Sequence, residues 1–127
     1  MKGIVLDIET TTLRNNHFRK VLVTGQHSQL VVMCLQPKEE IGFEVHPIVD
    51  QFFRIEEGTG KAIIDGEEHD LTSGSAVLVL AGSKHNIINT SPDKKMKLYT
   101  LYCPAHHKDK VIHKTKAEAE KDTEDHI

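Results

Sequence analysis

The sequence predicts an all-β domain, a sandwich or barrel of short strands followed by a short C-terminal helix. Three observations carry that reading. The apolar residues fall in runs of strand length, several of the runs are rich in β-branched residues, and Gly or Asp-Gly turns separate them at the spacing of an antiparallel meander. With 127 residues the chain has the length for one domain and one core. The core is expected over about 20–103, with a polar tail over 104–127.

Each element follows from its own residues. "KVLVTG" (Lys20 to Gly25) is a β-branched run ending in a turn residue. "QLVVMCLQP" (Gln29 to Pro37) reads as a buried strand closed by Pro37, and "PKEEIG" as the connection after it. "GFEVH" alternates, so Glu44 and His46 share one face while Phe43 and Val45 take the other. "QFFRIEEGTG" is a strand running into glycines, with Phe52, Phe53, Ile55, Ile63 and Ile64 expected in the core. "GKAIIDGEEHDL" is a hairpin about the Asp65-Gly66 turn dipeptide. "GSAVLVLAGSKHNIIN" is a strand, a turn at Gly82 and a second strand, and "KMKLYTLYC" (Lys95 to Cys103) is the last long strand. In the tail, Thr115 and Glu118 form a T-x-x-E capping box and predict a helix from Lys116 to about Lys121.

Composition narrows the partners. A net charge of −3 leaves no electrostatic footprint for nucleic acid, and no run is long enough to span a bilayer. The two cysteines, Cys34 and Cys103, are too few for a disulfide framework and lack metal-ligand spacing. Reduced thiols, and an N-terminal "MKGIVLDIETT" without a long apolar stretch, lead to the expectation of a cytoplasmic protein. Nine histidines are a rich supply of metal ligands.

Two stretches hold the chemistry, "EVHPIVDQFFRIEEG" and "GSAVLVLAGSKHNIIN". In the second, Gly74, Gly82, His85 and Asn89 stand at intervals of five-plus-two, two and three intervening residues, with Leu80 within the first interval. In the first, Glu44 and His46 are separated by one residue, His46 and Gln51 by four, and Gln51 and Gly58 by six. Together they resemble the two sequence motifs of the cupin superfamily, over roughly residues 29 to 103. Glu44 and His46 stand at the places of the family's paired histidines, Gln51 at the place of its acid, and His85 at the place of its second-motif histidine. Leu80 replaces a proline, and Lys38 stands at the leading glycine position. The resemblance implies a cupin-type double-stranded β-helix (jelly-roll barrel).

It also implies a metal site of Glu44, His46, Gln51 and His85. Two nitrogen and two oxygen donors suit a divalent transition metal, zinc first, with iron, manganese or nickel as alternatives. Small cupins of this kind are similar to the mannose-6-phosphate isomerase-like type, whose zinc-dependent relatives use Gln, Glu and His ligands. Three functions stay open: a metal-dependent sugar or sugar-phosphate isomerase, an iron- or nickel-dependent dioxygenase, and a non-catalytic module that binds a sugar or similar small molecule. Lys84, His106 and His107 are candidates for a general base. Family resemblance and exposed edge strands together imply a homodimer.

Other readings stand beside these. His46 and His85 also read as polar residues satisfied inside a barrel, Glu44 as a solvated strand residue, and Asp50 as a competitor for the place of Gln51. Arg54 reads as an outward-facing strand residue, and His106, His107 and His113 as a histidine-rich loop over the barrel mouth. "VLDIETT" resembles the first motif of DEDD-type exonucleases through Asp7 and Glu9, but the further acidic motifs and long helices are missing. It is expected to be an edge strand with solvent-facing carboxylates.

Overall fold

A computed structural model describes residues 2–126. In chain order the elements are α1 (Ile8–Arg14), β1 (Arg19–Thr24), β2 (Gln29–Leu35), β3 (Glu44–Val45), β4 (Asp50–Glu57), β5 (Gly60–Ile64), β6 (Glu67–Leu71), β7 (Ala76–Val79), β8 (Lys84–Asn89), β9 (Met96–Cys103), β10 (Ile112–His113) and α2 (Lys116–Lys121). They build two antiparallel sheets, a six-stranded one ordered β10-β1-β2-β9-β4-β7 and a four-stranded one ordered β3-β8-β5-β6. This is the all-β class that the strand rhythm predicts and the jelly roll that the cupin resemblance implies, and α2 begins where the capping box places it. Thr115 accepts the Glu118 N–H there through its hydroxyl, 3.2 Å away.

The apolar side chains between the sheets form one core. Val31, Met33 and Leu35 of β2, Phe53 and Ile55 of β4, and Met96 and Leu98 of β9 enter it from the large sheet. Ala62 of β5 and Ile87 of β8 meet them from the small one. Each fully buried aliphatic or aromatic side chain stabilises the fold by about 1.5–3 kcal/mol relative to exposure. Period-two alternation sorts β4 strictly: Gln51, Phe53 and Ile55 face inward, and Phe52 and Arg54 face out. Phe52 is therefore only half-buried and does not join the core. Ile63 and Ile64 are likewise half-buried, Ile64 packing against the edge of the core.

The N-terminal segment is a helix, not the expected edge strand. Asp7 accepts the Thr10 N–H at 3.0 Å and caps α1, with Glu9 in its first turn and Arg14 in its last. The Asp7 carboxylate, expected to face solvent from a strand, is a capping group. Thr12 is buried under the helix. The buried Lys97 of β9 clamps the chain just beyond it, donating to Asn15 O and, at 2.7 Å, to Asn16 Oδ1.

Two backbone features tie the motif residues to this frame. Asp65 (φ 48°) and Gly66 (φ 84°) both take the left-handed region and turn the β5–β6 hairpin. Gly60 lies so close to Ile88 O and the Met96 side chain that a Cβ there has no room.

Candidate metal centre

The hydrogen-bonding of the second motif holds the first in place. Gly82, in the left-handed region at φ 91°, donates its N–H to His46 O at 2.8 Å. Glu44 sits opposite His85 in the β3–β8 pairing. Asp50 accepts the Ala81 N–H at 2.8 Å, so its exposed carboxylate fastens the 80s turn from outside and leaves the inward place to Gln51. Asn89, fully buried, donates to Leu35 O, Gln36 O and Lys94 O and accepts the Ser91 N–H. It is a clamp between loops, not a group that reaches the site.

His46, Gln51 and His85 all face the interior, at 5%, 3% and 4% exposure. His46 Nε2 lies 3.1 Å from Glu44 Oε2, but the contact is not aligned as a hydrogen bond and the buried nitrogen has no hydrogen-bond partner. His106, from the segment after β9, brings a second such nitrogen. Its ring packs edge-on to His46 with centroids 4.2 Å apart, and its buried Nε2 also lacks a partner. One ligand atom from each of Glu44, His46 and His106 falls within 4.8 Å of the others. Sequence reasoning placed His106 over the barrel mouth, as a covering loop residue or base. Its ligand-like position depends on how the chain folds back after β9, which strand patterning does not encode.

The other expected ligands lie beside this cluster and face one another. His85 Nδ1 donates to Ser83 O at 3.1 Å, which leaves a lone pair on Nε2. Gln51 Nε2 donates to Thr100 Oγ1 at 3.0 Å, which turns Gln51 Oε1 toward that lone pair, 3.2 Å away. Two acceptors this close want a proton or a cation between them. His46 links the pairs, with its ring centroid 5.2 Å from that of His85.

The electrostatics suit a cation. Burial works to raise the Glu44 pKa, but the neighbouring His46 and the charge of Arg19 overcome it and bring it down to about 2, so the carboxylate is ionised at neutral pH. His106 is pushed down to about 3, first by burial and then by the crowd of His46, His107 and His126. Burial lowers His85 as well. Neutral imidazoles and an ionised carboxylate are the forms in which these side chains bind a metal. Orphaned nitrogens, opposed acceptors and an ionised carboxylate fit a divalent transition metal.

Behind the cluster runs a second polar chain. His107 Nδ1 meets Asp125 Oδ2 at 2.5 Å, and His107 Nε2 meets the Tyr102 hydroxyl at 3.0 Å, all three residues buried. His126 stacks on His106 with centroids 4.3 Å apart, so His106, His107 and His126 also converge. Both nitrogens of His107 are already engaged, which leaves that group fewer free donor atoms than the Glu44 cluster. Lys84 points outward over the Phe43 ring at 5.0 Å, and the outward-facing Arg54 pairs with Glu56 at 2.9 Å.

Comparison with known proteins agrees with the architecture. The family model described as a cupin domain matches residues 31–102. A crystal structure of a Bacillus halodurans protein is 38% identical, superposes with a TM-score of 0.93, and covers 95% of this chain and 96% of its own. An uncharacterised protein of Acanthamoeba polyphaga mimivirus is 45% identical over 81% of this chain and 66% of its own length. YrkC of Bacillus subtilis, also uncharacterised, is 42% identical over 93% of this chain and 66% of its own length. The chain thus spans just under two thirds of these two relatives.

Proposed function

The chain belongs to the cupin family, and from that premise we propose that it is a metal-dependent enzyme of small oxygen-bearing substrates, isomerase-like in its chemistry. The observation that supports this most is the meeting of Glu44, His46 and His106 with two orphaned, buried imidazole nitrogens. Glu44, His46 and His106 would hold the ion, with Gln51 and His85 adjoining. When bound, a divalent ion polarises a carbonyl or hydroxyl oxygen as a Lewis acid.

The protein's own residues supply the rest. Burial pushes the Tyr102 hydroxyl up, so Tyr102 keeps its proton at neutral pH. Its ring stacks on His106 with centroids 5.5 Å apart, and its hydroxyl rests against His107, which Asp125 orients. Tyr102 thus stays neutral, donates its hydroxyl proton to His107 Nε2 and holds the His106 ring beside the cluster, a positioning role and not that of the acid or base. The apolar core beneath, with Phe53 edge-on to His85 at 6.1 Å between centroids, keeps water from the inner side.

A second reading has a specific observation behind it. Two histidines and one carboxylate with open positions are the donor set of non-haem iron oxygenases. Elemental analysis of untagged protein, followed by turnover assays, separates the two. Zinc with interconversion of aldoses and ketoses supports the isomerase, and iron with substrate-dependent oxygen uptake supports the oxygenase. Metal-loaded protein that does neither, yet binds sugar, overturns both in favour of a binding module.

A further inference from the structure

A cavity of about 220 Å³ opens beside Glu44 and reaches from the barrel mouth to α2. Phe18, Ile41 and Ala119 form its apolar walls, and Arg19 and Lys116 bring positive charge to it. Arg19 is only 6% exposed, and its Nε is buried without a hydrogen-bond partner. Its Nη1 donates to His113 Nδ1 at 3.3 Å, and its guanidinium lies over the Phe18 ring at 5.2 Å. His113 Nε2 is in turn fixed by Asp122 Oδ2 at 3.0 Å, which leaves Nδ1 as the accepting nitrogen. Among the described residues, Arg19 forms no ion pair.

A buried cation without a counter-ion is costly. The charge of Glu44, on which Arg19 acts, gives some relief, and an ion at the cluster would claim it. The polar part of the cavity is therefore short of one negative charge. Its size suits a compact ligand and is below that of drug-sized pockets. The carboxylates of Glu44 and Glu120 also border it, so a monoanion fits better than a dianionic phosphate. A planar carboxylate matches the fork of a guanidinium.

We propose that Arg19 is the carboxylate-recognition residue of a subsite for a small organic acid, bound in this cavity with its remaining oxygens toward the Glu44 and His126 end. Lys116, which also lines the cavity and pairs with Glu120 at 3.8 Å, adds a second and weaker attraction. This rests on the metal reading for the claim on Glu44 that leaves Arg19 short of a counter-charge and for the placement of the far end of the ligand. It shifts the substrate class from a sugar phosphate to a hydroxy or keto acid.

Calorimetric titration with lactate, succinate, inorganic phosphate and glucose, on both chelator-treated and metal-loaded full-length protein, tests the proposal. Saturable binding of a carboxylate, weakened at least about tenfold by Arg19→Met and less by Arg19→Lys, is expected, because a charge-assisted hydrogen bond is lost. Metal content of both variants should match wild type. If Arg19→Met fails to fold, Arg19→Lys and Lys116→Ala carry the test, and each should still weaken carboxylate binding. Carboxylate binding by protein that retains no metal leaves Arg19 in its role and removes the metal reading. Metal retention with no carboxylate binding, with binding indifferent to Arg19 and Lys116, or with phosphate bound as well as carboxylate, overturns the proposal.

Discussion

His106 and Asp125 show at the residue scale how the site is assembled. His106 packs its orphaned nitrogen against His46 from a segment outside the motif strands. Replacing it by Ala should lower the affinity for zinc or iron by at least about 10–100-fold, the range for losing even a residue that supports a ligand, and competition with a fluorescent chelator reads this directly. Asp125 belongs to the polar chain behind. Burial works to raise its pKa, but the hydrogen bond to His107 and that residue's charge bring it below the usual carboxylate range. A carboxyl depressed in the folded state contributes stability above its unfolded pKa of about 3.9 and loses that contribution as pH falls through the lower folded value. Asp125→Asn should therefore cost about 1–3 kcal/mol at neutral pH. The gap between denaturant melts of the two proteins should begin to close as pH falls through about 4 and vanish only below the lower folded-state pKa; a gap that persists there would show the pair to be held by something other than charge.

At the scale of elements, the strands were legible in the sequence and the folded-back ends were not. β4, β5, β8 and β9 announce themselves because alternation, β-branching and turn dipeptides are local signals. α1 was hidden because "VLDIETT", with Val5, Leu6 and Ile8 followed by β-branched threonines, reads locally as a short strand. Only the Asp7 cap, three residues before the Thr10 N–H it satisfies, reveals a helix. Gln51 and His85 were found by spacing, and the structure pairs them. His106 and the partners of Tyr102 come from the tail, whose path is set by contacts such as Lys108 N–H to Asp125 O at 2.7 Å. The motif's departures are also physical. Lys38, at the leading glycine position, adopts φ 65°, a left-handed conformation that costs a side-chain-bearing residue about 1–2 kcal/mol. Lys38→Gly should raise the melting temperature without altering metal content. Gly would also add freedom to the unfolded chain, so the measured gain should fall below the full strain.

On the scale of the whole molecule, two sheets and one core leave an apolar surface uncovered. Phe43, Val45, Ile48, Leu78 and Leu80 are all more than half exposed, at 53%, 52%, 76%, 59% and 60%. The hydrogen bonds from Gly82 to His46 and from Ala81 to Asp50 tie the two stretches that carry them together. These apolar residues lie on or next to edge strands β3 and β7, and we propose that a second copy of the chain covers them. Light scattering should give twice the 14.3 kDa chain mass, and Leu78→Glu with Leu80→Glu should return the monomer. A monomeric wild type would remove the homodimer proposal while leaving the site untouched, since every group in the Glu44 cluster comes from one chain. The most direct measurement is metal content per chain for untagged protein, reconstituted in turn with zinc, iron, manganese and nickel and then exchanged into metal-free buffer. One divalent ion per chain, lost in His46→Ala and His106→Ala but kept in His69→Ala, is the expected result. Wild-type protein that retains no ion after any reconstitution, or retains it equally in all three variants, contradicts the account.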